Sequence, residues 1–218
     1  MLKVENVETF NFDGAIRGMR NPLESWGKSD SDFEGTELGY FHDFYIGGND
    51  LGLMRRLYKA GPEHRKYLRQ IFVCMDIIAP RYWFVEFDTY KIGVTSNSCS
   101  TMHTIHKKPF DIDDFSHDHL VYTGEGDNPI DMIIKWLNYY REKYLETGNK
   151  EYWYNMIQLL PQSYNQRRTV TMNYENVINI IFQRSGHKLD EWSTFIGELM
   201  ELPYVKEIMA DARNRLGE

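Results

Sequence analysis

The chain has 218 residues, 42% of them hydrophobic and 15% aromatic, with a formal net charge of −7 at pH 7. That composition supports a packed core, excludes disorder, and argues against the basic surface of a protein that binds nucleic-acid polymers. Two cysteines, Cys74 and Cys99, are too few for a disulfide framework or a cysteine-rich zinc module, and fit a reducing, cytoplasmic setting.

No run approaches the roughly 18 apolar residues of a membrane span, and MLKVENVETF has no apolar secretory segment. Without a Pro/Gly/Ser linker, one domain over residues 1–218 of a soluble intracellular protein is expected.

Residues 1–12 alternate loosely through Leu2, Val4, Val7 and Phe10, the pattern of an opening strand. Residues 13–20 read as a short helix ended by Pro22, and the Ser/Asp/Gly-rich stretch 24–36 as a loop. Asn49 or Asp50 then caps a helix that carries Leu51, Met54 and Leu57 and stops at Gly61. Ile71, Val73 and Met75 alternate with Phe72, Cys74 and Asp76, which predicts a mostly buried strand over 69–78. Ala79-Pro80 opens the next helix, since proline is tolerated in a first turn. Tyr82, Trp83, Phe84, Phe87 and Tyr90 read as core in preference to a stacking site. Residues 92–109 read as a loop.

Asn128-Pro129 is a strong helix start, an N-cap followed by proline at the first helical position. Ile130, Ile133, Ile134, Leu137, Tyr140 and Tyr144 form the apolar face of that helix, which runs to Gly148. A further helix over about 150–160 ends near Pro161. Trp192, Phe195, Ile196 and Leu199 mark another before Pro203, and Val205, Ile208, Met209 and Leu216 a last one over 204–216. The sum is helix-rich with a minor sheet.

Between these, Asn173 follows the β-prone run Thr169-Val170-Thr171 and has the side chain of an N-cap, with Glu175 in the first turn. Val177, Ile180 and Ile181 recur at helical spacing, and Gly186 sits where a helix would stop. At about 100° per residue, the steps from Asn173 to Arg184 bring both side chains back to one face. An amide and a guanidinium on one stripe suit a flat heterocycle. The other reading is that Asn173 only caps and Arg184 only pairs with a carboxylate.

Ser98-Cys99-Ser100 with His103 nearby invites a thiolate reading, against that of a small buried cysteine. His103, His106 and the run Asp111–His119 lack the spacing of a helix-borne zinc motif and the glycine of a calcium loop. No metal is expected there, only a solvated loop or helix cap. Arg167-Arg168 either binds a phosphate or decorates the surface.

The stretch around Asn173 resembles the C-terminal signature of flavin-dependent thymidylate synthases, a Leu-Pro, a Thr-x-Asn and an Arg eleven residues after that Asn. Leu160-Pro161, Thr171-Met172-Asn173 and Arg184 meet it without a gap. Asn179 fills the family's second Asn position. His187 and Glu191-Trp192 resemble its His and acidic-aromatic helix, with a shift of about one residue. Upstream, Ile77-Ile78-Ala79-Pro80 resembles the entry to the family's R-H-R-x-x-S-x-N-x-x-S-x-R signature. There Arg-His-Arg falls on Thr89-Tyr90-Lys91, and the later Asn and Ser fall on Asn97 and Ser100 with one residue inserted. The final Arg becomes Met102, the preceding Gln becomes Glu86, the Arg ahead of Leu-Pro becomes Ile157, and His64 partly meets a His-rich turn.

The resemblance, over roughly residues 50–200, implies an α+β fold, a helix-rich single domain with a small antiparallel sheet. It implies FAD between the subunits of a homotetramer, with a deoxyuridine nucleotide (dUMP, converted to dTMP) stacked on the isoalloxazine. Methylenetetrahydrofolate would supply the methylene group and NADPH, ultimately, the hydride. Arg184 would hydrogen-bond the pyrimidine carbonyl and stabilise the charge that develops there. Asn173, Asn179, His187, Tyr90, Lys91 and His64 would lie at FAD, and Glu86, Asn97 and Ser100 at the nucleotide. The lost arginines forfeit charge-assisted bidentate bonds, for which Lys91, Arg65, Arg167 and Arg168 are the substitutes at hand. The alternative expectations are a non-catalytic nucleotide- or flavin-binding relative, and a different pyrimidine modification on the same fold.

Overall fold

The structure is a computed structural model that describes residues 2–33, 44–121, 124 and 128–210. In chain order the described elements begin with β1 (Lys3–Phe10), α1 (Phe12–Arg20), α2 (Gly48–Lys59), β2 (Phe72–Pro80), α3 (Arg81–Phe87), β3 (Val94–Ser98) and α4 (Thr101–Thr104). There follow α5 (Pro129–Thr147), α6 (Lys150–Leu159), β4 (Asn165–Asn173), α7 (Tyr174–Arg184), α8 (Asp190–Met200) and α9 (Val205–Met209). The strands form one antiparallel sheet in the order β1-β2-β4-β3. The expected α+β class, helix-rich with a small antiparallel sheet, is what the chain adopts.

In β2 the period-2 pattern is carried through. Val73, Met75, Ile77 and Ala79 are buried, while the residues between them are half-buried. The strand runs two residues past its expected end, and Pro80 caps α3 from an extended conformation (φ −66°, ψ 150°) instead of sitting in its first turn. The fixed φ of proline suits both roles.

Three expectations need correction. Within the expected loop 92–109, Val94–Ser98 is a strand at the sheet's edge and Thr101–Thr104 a short helix. All of β3 but Val94 is exposed, so it shows no hydrophobic alternation to read. The cap of α2 is Gly47, with Asn49 and Asp50 inside its first turn, and the Asp50 carboxylate turns instead to Arg20 and to the backbone N–H groups of Asp30 and Ser31. The stretch expected as a loop from 24 holds a 3-10 turn at Trp26–Lys28 and a bridge from Asp32 to Tyr45. Residues 34–36 of that loop lie outside the described residues, as do Met1 of the opening strand and 211–216, with Leu216, of the last helix.

The chain groups into two compact units. One holds Ile77–Thr89 and Asn97–Thr169. Its frame is the α5/α6 hairpin, started by Asn128, whose side chain accepts from the Ile130 N–H, and closed by Gly148 in the left-handed conformation (φ 66°). Ile130, Leu137, Met156 and Leu160 form its core with Ile105, Phe110 and Phe115. On α3, Trp83, Phe84 and Phe87 are buried, and Trp83 stacks on Phe87 at 5.1 Å. The core reading of the aromatic run holds for these three, while Tyr82 and Tyr90 are half-buried.

The other unit holds Val4–Asp76, Tyr90–Ser96 and the chain from Val170 onward. Val177, Ile178, Ile180 and Ile181 bury α7 on several sides, and Trp192, Phe195 and Leu199 bury α8. Two core phenols keep a partner each, Tyr67 donating to the Met54 carbonyl and Tyr174 to that of Pro203. Burial pushes the pKa of both well above the ordinary tyrosine value. Among the described residues, no helix is long and apolar enough to cross a membrane.

Candidate functional site

The site is built from α7 outward. Asn173 ends β4 in an extended conformation, and its side-chain oxygen accepts from the Asn176 N–H at 3.0 Å, the capping role that its residue type allows. Glu175, in the first turn of α7, takes Arg65 Nε at 3.1 Å and lies 3.6 Å from Arg69 Nε. Arg65, which the sequence offered as a substitute phosphate ligand, thus faces a carboxylate through Nε.

The segment Tyr90–Gly93 is pinned to both ends of α7. Toward the helix start, Asn176 Nδ2 donates to the Ile92 carbonyl at 3.0 Å. Gly93 has φ +74°, and a Cβ there would come within 2.5 Å of Asn173 Nδ2 and 3.0 Å of Asn176 Nδ2. Both the backbone angle and the close approach require glycine. At the helix end, Arg184 Nε donates to the Tyr90 hydroxyl at 3.0 Å.

The Arg184 guanidinium lies against two aromatic rings, 4.6 Å from the centroid of Trp192 and 5.5 Å from that of Tyr90. Gly186, in the left-handed conformation (φ 73°), turns the chain after α7, and the His187 N–H donates to the Arg184 carbonyl at 3.0 Å. The Leu189 N–H donates to His187 Nδ1 at 3.1 Å. A neutral His187 ring therefore carries its proton on Nε2. Its centroid lies 6.1 Å from that of Trp192.

Of the residues expected at the cofactor and base, the structure brings together Arg184, Tyr90 and His187. It adds Trp192, which sequence reasoning placed in the family's acidic-aromatic helix but assigned no role. Arg184 and Trp192 lie on different helices across a glycine turn, so helical periodicity does not relate them. Asn179 is half-buried in the middle of α7, and Lys91 is exposed beside Tyr90. His64 is exposed in the turn after Gly61 and lines a cleft of about 670 Å³ with Met19, Leu57, Glu63, Lys66 and Arg69.

In the other unit, Asn97 is exposed on β3 and Glu86 half-buried on α3. Ser100 caps α4, its hydroxyl accepting from the His103 N–H at 3.2 Å. Cys99 is exposed, against the reading of a small buried residue, because it lies at the end of an edge strand. Its N–H donates to the Arg167 carbonyl at 3.0 Å, and its own carbonyl accepts from Gln166 Nε2 at 2.9 Å. Cys99 also lines a cleft of about 570 Å³ with Lys107, Lys108, Asp114, Tyr164 and Arg167. There the hydrogen bond to Asp114 raises the pKa of Lys108, and burial raises that of Tyr164.

Arg168 pairs with Asp88 at 2.7 Å and lies over the Phe84 ring at 3.9 Å, so it too faces a carboxylate, within its own unit. Asp111 and Asp114 form a capping box on their own turn. Among the described residues, no group of three or more His, Cys, Asp or Glu side chains is arranged to hold a metal.

For the flavin that the resemblance implies, the donor set divides. The Arg184 guanidinium and His187 Nε2, with the half-buried Tyr90 ring, suit a flat ring that bears carbonyl oxygens. The diphosphate calls for cations; of the four that the sequence offered, Arg65 faces Glu175, Arg168 faces Asp88, Arg167 lines the cleft of about 570 Å³ in the other unit, and Lys91 is exposed beside Tyr90.

No protein-family model matches the sequence, and no curated protein matches it. Among solved structures, the chain is similar to Thymidylate Synthase X (ThyX) from Helicobacter pylori with FAD and dUMP at 2.31 Å resolution. The TM-score is 0.66 over 95% of this chain and 96% of that one, at 20% identity. A second structure of the Helicobacter pylori enzyme, complexed with FAD and dUMP, matches with TM-score 0.66 and 20% identity over 94% and 96% of the two chains. Over nearly its whole length, the chain has the fold of the flavin-dependent thymidylate synthases.

Proposed function

We propose that this protein is a flavin-dependent, thymidylate synthase-like enzyme that binds dUMP and reductively methylates it to dTMP, with Arg184 as the base-recognising residue. The carrying observation is the Arg184 guanidinium, held by the Tyr90 hydroxyl and the Trp192 face at the position that the C-terminal signature gives it. The fold supports this reading, since the matched structures hold FAD and dUMP.

Arg184 would donate from its terminal nitrogens to a pyrimidine carbonyl oxygen that gains negative charge as the ring is activated. A donor oriented in advance stabilises that charge without reorganising during the reaction. Asn179 and His187 would hold the flavin ring by hydrogen bonds and Tyr90 through its ring face, its hydroxyl being taken by Arg184, with Lys91 and His64 at the flavin's charged end. His187 would serve through Nε2, since Nδ1 accepts from Leu189. Asn173 would act through the cap that fixes the start of α7. Bound FAD supplies hydride transfer, which no side chain can perform. Methylenetetrahydrofolate as the one-carbon donor, NADPH as the reductant and a homotetrameric assembly complete the proposal. Glu86, Asn97 and Ser100 keep the nucleotide role that the resemblance gives them, each to be tested singly by dUMP titration.

A second reading, a nucleotide- or flavin-binding protein without turnover, is favoured by the engagement of Arg65 with Glu175 and of Arg168 with Asp88. An absorbance spectrum after FAD addition and desalting, followed by a dTMP assay with dUMP, methylenetetrahydrofolate and NADPH, separates the two. Retained flavin bands with dTMP formation support the enzyme. Flavin or dUMP retained without dTMP supports the binding protein, and retention of neither refutes both. Within the enzyme reading, Arg184→Ala lowers turnover by about 10²–10³; full turnover in that variant removes the role assigned to Arg184.

A further inference from the structure

We propose that Tyr90 and Trp192 are positioning residues for Arg184, Tyr90 through the hydrogen bond it accepts from Nε–H and Trp192 through its ring face. The proposal rests on the reading that Arg184 recognises the base.

A guanidinium is planar, and its Nε–H and terminal nitrogens share one plane. Fixing Nε–H therefore fixes the directions in which the terminal N–H groups point. Here Nε–H is fixed by the Tyr90 hydroxyl at 3.0 Å. The height of the plane is set by the Trp192 ring at 4.6 Å. Trp192 is fully buried and meets Tyr90 edge-on at 6.3 Å, so the two rings form one corner around the guanidinium.

The corner is rigid only if Tyr90 is. Its segment is tied to α7 by the Asn176–Ile92 bond, and Gly93 lets the backbone come down onto Asn173 and Asn176. Both ends of the Arg184–Tyr90 bond thus refer back to α7. A recognition group held on such a frame keeps the sub-ångström placement that binding and catalysis require. Phenylalanine at position 90 would keep the ring and lose the acceptor.

The test is a double-mutant cycle with Tyr90→Phe and Arg184→Ala, read as dUMP affinity by calorimetry and as kcat/KM for dTMP formation. Trp192→Phe is a third variant. Tyr90→Phe should lower kcat/KM about tenfold, the loss of one charge-assisted hydrogen bond. In the Arg184→Ala background the same change should have less than a twofold effect, because nothing is left to position. In the 15N spectrum, the Arg184 Nε–H signal should exchange slowly in the parent and rapidly in Tyr90→Phe. Trp192→Phe should shift that signal by altering the ring current.

Unchanged affinity and kcat/KM in Tyr90→Phe overturn the proposal, as does an equal loss in both backgrounds, which would mean that Tyr90 touches the ligand itself. Either result leaves the proposed function standing. A parent protein that binds no dUMP refutes the function and, with it, the role given to Tyr90 and Trp192.

Discussion

Replacing Asp50 with asparagine removes one charge from a buried pair and changes almost no volume. Asp50 is 0% and Arg20 3% exposed, and Arg20 Nε lies 2.6 Å from Asp50 Oδ1. Asp50 Oδ2 accepts from the hydroxyls of Ser29 and Ser31, each at 2.7 Å, and from the N–H groups of Asp30 and Ser31 at 3.1 and 3.2 Å. Asparagine offers one oxygen and one NH2 group. Whichever way it turns, either the guanidinium or two backbone N–H groups face a donor.

Removing one partner of a buried pair costs about 3–5 kcal/mol, most of it from the charge left behind. For a chain of this size that is a fall in Tm of about 6–20 °C. Urea unfolding followed by circular dichroism should show a lower midpoint with an unchanged slope. As a control, Asp13→Asn breaks the Arg17–Asp13 pair on α1, whose side chains are 71% and 57% exposed, and should cost under about 0.5 kcal/mol.

The same pair sets a pH dependence. Burial works to raise the Asp50 pKa, but the bonds from Ser31, Ser29, Arg20 and the Asp30 backbone outweigh it and hold the carboxyl below the ordinary value of 3.8. The contribution is therefore present above that ordinary value and is lost as the pH falls through the lowered one. The gap between parent and Asp50→Asn should close on acidification. A loss below about 1 kcal/mol at neutral pH would mean that water solvates the pair, and would refute the reasoning.

Gly93→Ala meets both a positive φ and a Cβ 2.5 Å from Asn173 Nδ2. It should cost about 1–3 kcal/mol by thermal melting and should speed exchange of the Arg184 Nε–H; a neutral substitution would show that the segment has room to shift. Leu137→Ala empties a fully buried position in the core of the α5/α6 hairpin. It should cost about 2–5 kcal/mol, read as a lower urea midpoint.

What was legible in the sequence was local. Asn128-Pro129 and Asn173 are caps because their side chains reach an N–H two or three residues on, a relation that spacing alone reveals. The alternation in β2 was legible for the same reason. The fold as a whole came through the resemblance, whose well-kept motif is carried on β4 and α7. Distant partners were not legible. Asp50 has the residue type of a cap, yet its carboxylate answers Arg20 from another helix. Arg167 and Arg168 look alike in sequence. On β4, Arg168 shares a face with the buried Val170 and Met172, and so reaches Asp88 and Phe84. Tyr90 appeared as a core aromatic and, through the resemblance, as a residue at FAD, and Trp192 as an unassigned aromatic. Their meeting at Arg184 depends on the turn at Gly186 and the approach of Gly93 to α7, neither of which a spacing rule encodes.

The tether between Tyr90–Gly93 and α7 separates where the segment lies from what it carries. Its backbone is held by Asn176 through a main-chain carbonyl and by the bare Cα of Gly93, not by the side chain of Lys91. A change of side-chain charge along this segment therefore does not dislodge it, so the segment can depart from the signature it resembles while its backbone stays in place. For the protein engineer the same separation runs in reverse, since new side chains can be tried at position 91 on a backbone that stays in place.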